Sequence, residues 1–117
     1  MPRRILVADD DTAMLSLYTR IFAGTDYSIS QAASFAEAAA LINSNTYDLL
    51  ITDLLFPDGV GTELIKLFEE KKAGAKCLLV TGSPAQLDPK LVKYEDRYFE
   101  KPFKLDIFMK AVKKALA

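Results

Sequence analysis

Short apolar runs alternate along the chain with segments of helical period. Leu49-Leu50-Ile51 carries no polar alternation, the mark of a strand buried on both faces, and the run stops abruptly at Asp53. Pro57, Gly59 and Gly61 follow and bar any continuation of that strand. Ile5 to Ala8 and Leu78-Leu79-Val80 are two further apolar runs, ending in Asp9-Asp10-Asp11 and in Thr81-Gly82-Ser83. Tyr27 to Ala32 alternates as a strand nearer the sheet edge would, and Arg97 to Glu100 is a brief fifth strand.

Between the strands the period changes. Met14, Leu15, Tyr18, Ile21 and Phe22 recur at helical spacing, with Asp11 or Thr12 as cap and Gly24 as stop. Ser34-Phe35-Ala36-Glu37 reads as a capping box opening an alanine-rich helix through Leu41 and Ile42, ended by Asn43-Ser44-Asn45. A third helix runs from about Thr62 to Lys72, with Leu64, Ile65 and Phe68 inward and Gly74 closing it. Pro84 to Asp96 holds two prolines and allows a short helix at most, with Leu87, Leu91 and Tyr94 facing in. After Lys101-Pro102-Phe103, the last helix sets Leu105, Phe108, Val112 and Leu116 on one face. Five strands alternating with five helical segments mean βαβ units: an α/β fold with a doubly wound, five-stranded parallel sheet and helices on both faces. At 117 residues the chain reads as one domain over 1–117.

In such a sheet the carboxyl ends of the strands share one edge, where open α/β sheets bind their ligands. Those ends carry Asp9, Asp10 and Asp11, then Asp53, then Thr81, then Lys101. Each residue has an ordinary reading as well. Asp9 to Asp11 can be a capping run and Asp53 a turn aspartate; Thr81 can be a packing residue, Lys101 a solvated charge and Lys101-Pro102 a plain loop restriction. The constellation argues for more. Clustered carboxylates raise one another's pKa unless a cation sits among them, and Mg2+ suits one or two carboxylates plus waters and a phosphate oxygen. Asp53 can then attack phosphorus as a carboxylate nucleophile, with Thr81 and Lys101 on the phosphoryl oxygens.

Composition narrows the chemistry. There is no histidine, which removes His-based catalysis and His-ligated metals, so any metal is a hard, oxygen-bound one. The single cysteine, Cys77, lies in an apolar run and fits a reducing compartment. A net charge of −1, from 15 basic and 16 acidic residues, gives no field for nucleic acid or an anionic membrane. Only four apolar residues follow Met1-Pro2-Arg3-Arg4, too few for a signal peptide or a span, so a soluble, cytoplasmic protein is expected.

The chain resembles the receiver domains of two-component response regulators, among them the chemotaxis receivers. The resemblance rests on Ile5-Leu6-Val7-Ala8-Asp9-Asp10-Asp11, Asp53-Leu54-Leu55-Phe56-Pro57-Asp58-Gly59, Leu79-Val80-Thr81-Gly82 and Tyr98-Phe99-Glu100-Lys101-Pro102-Phe103. It implies a flavodoxin-like sandwich with strand order 2-1-3-4-5 and Asp53 as phospho-acceptor. It also implies Mg2+ held by Asp9, Asp10, Asp53 and the Leu55 carbonyl, with Thr81 and Lys101 on the phosphoryl group. Thr81 with Tyr98 would form the switch, and Lys101-Pro102 falls at the family's cis peptide. The implied partners are a sensor histidine kinase or phosphotransfer protein upstream, and an effector protein or fused output domain downstream. That output would read the face made by the Pro84–Asp96 segment, the fifth strand and the last helix. No enzymatic activity is implied beyond self-phosphorylation and slow autodephosphorylation. Two departures stand out besides the Pro84–Asp96 segment: Leu55 is apolar where many relatives are polar, and Lys104 stands where a capping residue would help the last helix.

Three rival readings stand beside this one. A phosphatase resembling the haloacid-dehalogenase family would use Asp9 as nucleophile, leaving Asp53 without a role. A flavodoxin-like electron carrier would set a triple-acidic turn against the FMN phosphate. A receiver-shaped interaction module without phosphate chemistry would not need the acceptor residues that are present.

Overall fold

The structure is a computed structural model that describes residues 2–82, 98–101 and 103–117. The short helix expected within Pro84–Asp96, the strand start at Arg97 and the Lys101-Pro102 peptide lie outside the described residues. The elements in order are β1 (Arg4–Ala8), α1 (Thr12–Phe22), β2 (Ser28–Ala32), α2 (Phe35–Ser44), β3 (Leu49–Asp53), β4 (Leu55–Phe56), β5 (Gly59–Val60), α3 (Gly61–Lys71), β6 (Lys76–Thr81), β7 (Tyr98–Glu100) and α4 (Leu105–Leu116). Five strands form one parallel sheet in the order β2-β1-β3-β6-β7. With the small β4–β5 ribbon set apart, this is the expected 2-1-3-4-5.

The unbroken apolar runs are explained by two cores. Leu6, Ala8, Leu50, Cys77 and Leu79 pack with Ala38, Ile42, Leu64, Ile65 and Phe68 of α2 and α3. Their sequence neighbours Ile5, Val7, Leu49, Ile51, Leu78 and Val80 face the other way, onto Leu15, Tyr18 and Phe22 of α1 and Phe108, Val112 and Leu116 of α4. Alternate residues of one strand thus serve opposite helical layers, and both sets must be apolar.

Local signals fix the helix starts. Asp11 Oδ1 accepts from the Ala13 amide at 2.9 Å, capping α1. Ser34 Oγ accepts from the Glu37 amide at 3.1 Å, and Glu37 reaches back to the Ala33 amide at 2.7 Å. Gly74 is the described residue that needs glycine's freedom, at φ +74° just past α3. As expected from Lys104, α4 has no side-chain cap.

One expectation is refined and another corrected. The expected strand does stop at Asp53, but the stretch after it is not plain loop: Leu55–Phe56 and Gly59–Val60 pair antiparallel around Pro57-Asp58 as a separate ribbon, because a proline at the tip of a hairpin removes no ladder hydrogen bond. Leu105 does not share the inward face of the last helix; it is 52% exposed. Phe103 instead stacks on Phe108 with ring centroids 4.5 Å apart and packs against the core there.

Candidate functional site

The strand register brings the predicted residues to one edge. Ala8 pairs with Thr52, Asp53 with Val80, and Thr81 with Glu100, so β1, β3, β6 and β7 end side by side. Asp9, Asp10 and Asp53 each offer a carboxylate oxygen, and these oxygens lie within 4.8 Å of one another. Lys101, one residue past β7, donates from Nζ to Asp9 Oδ2 at 2.8 Å and to Asp53 Oδ2 at 3.2 Å. Its backbone amide donates to the Thr81 carbonyl at 2.8 Å, which fixes the lysine against the end of β6.

The carboxylates are not equivalent. The Asp9 side chain is 1% exposed, and Asp53 is 11% exposed. Asp10 is exposed. Burial pushes the Asp9 carboxyl above the usual carboxylate range, and the nearby Asp53 charge adds to this. The Lys101 ammonium and the Asp11 amide, which donates to Asp9 Oδ1 at 2.9 Å, oppose the shift. Burial alone would press Lys101 down, but the bonds and charges of Asp9 and Asp53 outweigh it and hold the ammonium above its ordinary value. Three carboxylates against one ammonium leave a formal charge of −2, the complement of a divalent cation. With oxygen donors only and no histidine in the chain, the residues present fit a hard cation such as Mg2+.

The other predicted residues lie around this cluster. Thr81 is 2% exposed at the end of β6. Leu55 lies two residues beyond Asp53 on β4 and is 40% exposed. Tyr98 pairs with Leu79 and packs against the α2–α3 core. Its hydroxyl is buried and finds no hydrogen-bond partner among the described residues. Burial, and to a smaller degree the Glu100 charge, raises the phenol's pKa.

Three residues to which the sequence pattern gives no role in the site shape the acceptor loop. A Cβ on Gly61 would lie 1.9 Å from the Asp53 carbonyl oxygen, so only glycine fits there. Thr52 Oγ1 donates to the same oxygen at 2.9 Å. Asp58 accepts from the Phe35 and Ala36 amides, both at 3.0 Å. The Gly59–Val60–Gly61 run following Pro57 was the available signal, and it reads in sequence only as a strand breaker.

Fold and site together define a doubly wound, flavodoxin-like α/β module with an oxygen-only acidic cluster at the carboxyl edge of its sheet. The family model described as "response regulator receiver domain" matches residues 5–113, and the chain belongs to that family. It is 32% identical over 108 residues to the response regulator MprA of Mycobacterium sp., covering 91% of this chain and 47% of that protein. It is 28% identical over 117 residues to the regulatory protein VanRB of Enterococcus faecalis, covering 99% and 53%. The chain thus spans about half the length of these curated relatives. Among solved structures, a CheY-like receiver domain protein from Methanospirillum hungatei superposes with TM-score 0.87 at 29% identity, covering 99% of this chain and 94% of that one. TrrA from Thermotoga maritima, solved in complex with Mg2+–BeF, gives TM-score 0.84 at 31% identity, covering 97% and 99%. The family match sets aside the dehalogenase-like phosphatase with Asp9 as nucleophile. The chain is a receiver domain of two-component signalling. Among the described residues no helix is long and apolar enough to cross a membrane.

Proposed function

We propose that Asp53 accepts a phosphoryl group from the phosphohistidine of a sensor kinase or phosphotransfer protein. The carrying observation is the convergence of the Asp9, Asp10 and Asp53 oxygens within 4.8 Å, with Lys101 bridging Asp9 and Asp53. An Asp53 oxygen attacks phosphorus in line; the new O–P bond forms as the P–N bond to the donor imidazole breaks. Asp9, Asp10, Asp53 and the Leu55 carbonyl would hold Mg2+, which would neutralise charge on the phosphoryl oxygens. Lys101 moves from its carboxylate partners onto a phosphoryl oxygen, and the Thr81 hydroxyl donates to another. Chemistry of this kind needs positioning and charge more than a proton shuttle, in keeping with a chain that has no histidine.

Phosphorylation adds negative charge, and Thr81 and Lys101 are drawn toward it. Thr81 and Lys101 are joined through backbone, and Tyr98 lies three residues before Lys101, so the shift reaches β7 and the face it shares with α4. An effector protein or a fused output domain reads that face. Residues 1–117 form one receiver unit in the cytoplasm. It turns over no substrate beyond its own phosphoryl group, and with a net charge of −1 it is not itself the DNA-binding part.

The test is mass spectrometry after incubation with acetyl phosphate and Mg2+, on wild type and Asp53→Asn. Wild type gains one metal-dependent phosphoryl adduct that the substitution abolishes. An adduct that survives in Asp53→Asn, or none in wild type, overturns the assignment.

A further inference from the structure

The β4–β5 ribbon is built to be weak on its own. Each of its strands has two residues, and an isolated two-stranded ribbon is marginal in water. Its Pro57-Asp58 turn is also of the wrong kind. The hairpin turns that match strand twist need positive φ, and no described residue other than Gly74 has it. Something outside the ribbon must hold it.

The outside support is the N-terminus of α2. Asp58 Oδ1 accepts from the Phe35 amide and Oδ2 from the Ala36 amide, each at 3.0 Å, across more than twenty residues of sequence. The Phe35 ring meets Phe56 edge-on at 6.5 Å and covers Gly59 so closely that a Cβ there would lie 2.4 Å from it. Ser34 serves the Glu37 amide, so the first-turn donors are divided between a local cap and the ribbon's carboxylate. The far end of α2 is fixed too. Lys71 Nζ, from α3, donates to the Ile42 carbonyl and, at 3.3 Å, to the Asn45 carbonyl. An anion grips one end of the helix and a cation the other, both in accord with its dipole.

We infer that Asp58 is a positioning residue for the Asp9–Asp10–Asp53 cation site, docking the ribbon that carries Leu55 onto the fixed end of α2. This rests on the metal-dependent reading above. Leu54 shows how short the linkage is: its amide donates to Asp53 Oδ1 at 2.7 Å and its carbonyl accepts from Gly61 at 2.6 Å. Release of the ribbon therefore loosens the segment directly attached to the acceptor carboxylate.

The test is an amide NMR titration with MgCl2 alone, on wild type, Asp58→Ala, Asp58→Asn and Ser34→Ala. Ser34→Ala weakens the same helix end without touching the ribbon, so it separates helix stability from ribbon position. Asp58→Ala raises the Mg2+ Kd about fivefold, short of the roughly tenfold or more that follows loss of a group bonded to a ligand itself, because Asp58 acts only through the ribbon. It also broadens the Leu54–Gly61 amides. Asp58→Asn gives a smaller rise, and Ser34→Ala stays within about twofold of wild type despite a lower unfolding midpoint. A wild-type Kd in folded Asp58→Ala, or an equal rise in Ser34→Ala, overturns the inference while leaving the acceptor assignment intact. Should Asp58→Ala not fold, Asp58→Asn decides by the same comparison. A wild-type chain that binds no Mg2+ brings down the functional reading and this one with it.

Discussion

The Gly61→Ala substitution tests how closely the acceptor is held. A Cβ at position 61 would lie 1.9 Å from the Asp53 carbonyl oxygen and 3.0 Å from its carbon. Since Cβ atoms essentially never approach within 3.0 Å, the two backbones must part by at least 1.1 Å (3.0 − 1.9). That movement strains the Gly61 amide's 2.6 Å bond to Leu54 and the Thr52 hydroxyl's 2.9 Å bond to Asp53. Overpacking costs about 1–3 kcal/mol and a weakened hydrogen bond about 1 more, against a helix preference for Ala over Gly of about 1 kcal/mol or less at a first helical residue. The net loss is about 1–3 kcal/mol, which a domain stable by about 5–15 kcal/mol survives. Function suffers more than stability. Displacing a reacting group by about 1 Å costs roughly a hundredfold in rate. Urea denaturation and the rate of adduct formation from acetyl phosphate read the two effects on one sample. A variant as stable as wild type that is phosphorylated at the wild-type rate would show that the acceptor loop is not rigid, and the reasoning would fail.

Two further outcomes are expected. Phe108→Ala removes a fully buried ring that meets Phe103, Phe99 and Tyr18 at 4.5, 5.5 and 6.1 Å, so urea denaturation gives a loss of about 3–5 kcal/mol. A loss under about 1 kcal/mol would mean that the aromatic cluster closes over the gap. Asp48 accepts from the Arg4 amide at 2.8 Å and pairs with Lys72 at 3.2 Å; with the amide bond as the largest cause, its carboxyl lies below the usual range. A depressed folded-state pKa gives stability that is present above the unfolded value of about 3.9 and lost as pH falls through the folded one. Asp48→Asn is therefore less stable than wild type by about 1 kcal/mol at pH 7, and the gap narrows below about pH 4. A gap of the same size at pH 3 and pH 7 would refute the linkage.

The parts legible in the sequence were those with a period or a repeated position. Strands buried on both faces announce themselves as unbroken apolar runs, and each ends at a polar residue. The polar residues that close β1, β3, β6 and β7 therefore include Asp9, Asp10, Asp53, Thr81 and Lys101. What stayed hidden lacked either signal. The β4–β5 ribbon is too short to show alternation, and its Pro and Gly residues read as breakers. The Asp58 cap depends on two elements meeting across the fold, which no local pattern carries. Leu105 has the right spacing from Phe108 but sits in the first turn, where Phe103 takes the place against that ring. Periodicity states which stripe a residue is on, not how far along the helix the neighbour extends.

The alternation of β1 between two helical layers constrains how this chain can vary. Deleting one residue between Ile5 and Ala8 would either exchange the layers for every side chain before the gap or, where those keep their places, draw Asp9 back by about 3.3 Å, one strand step. Packing and chemistry thus forbid the same change for independent reasons. Substitution among apolar residues is open to this strand, but a change in its length is not.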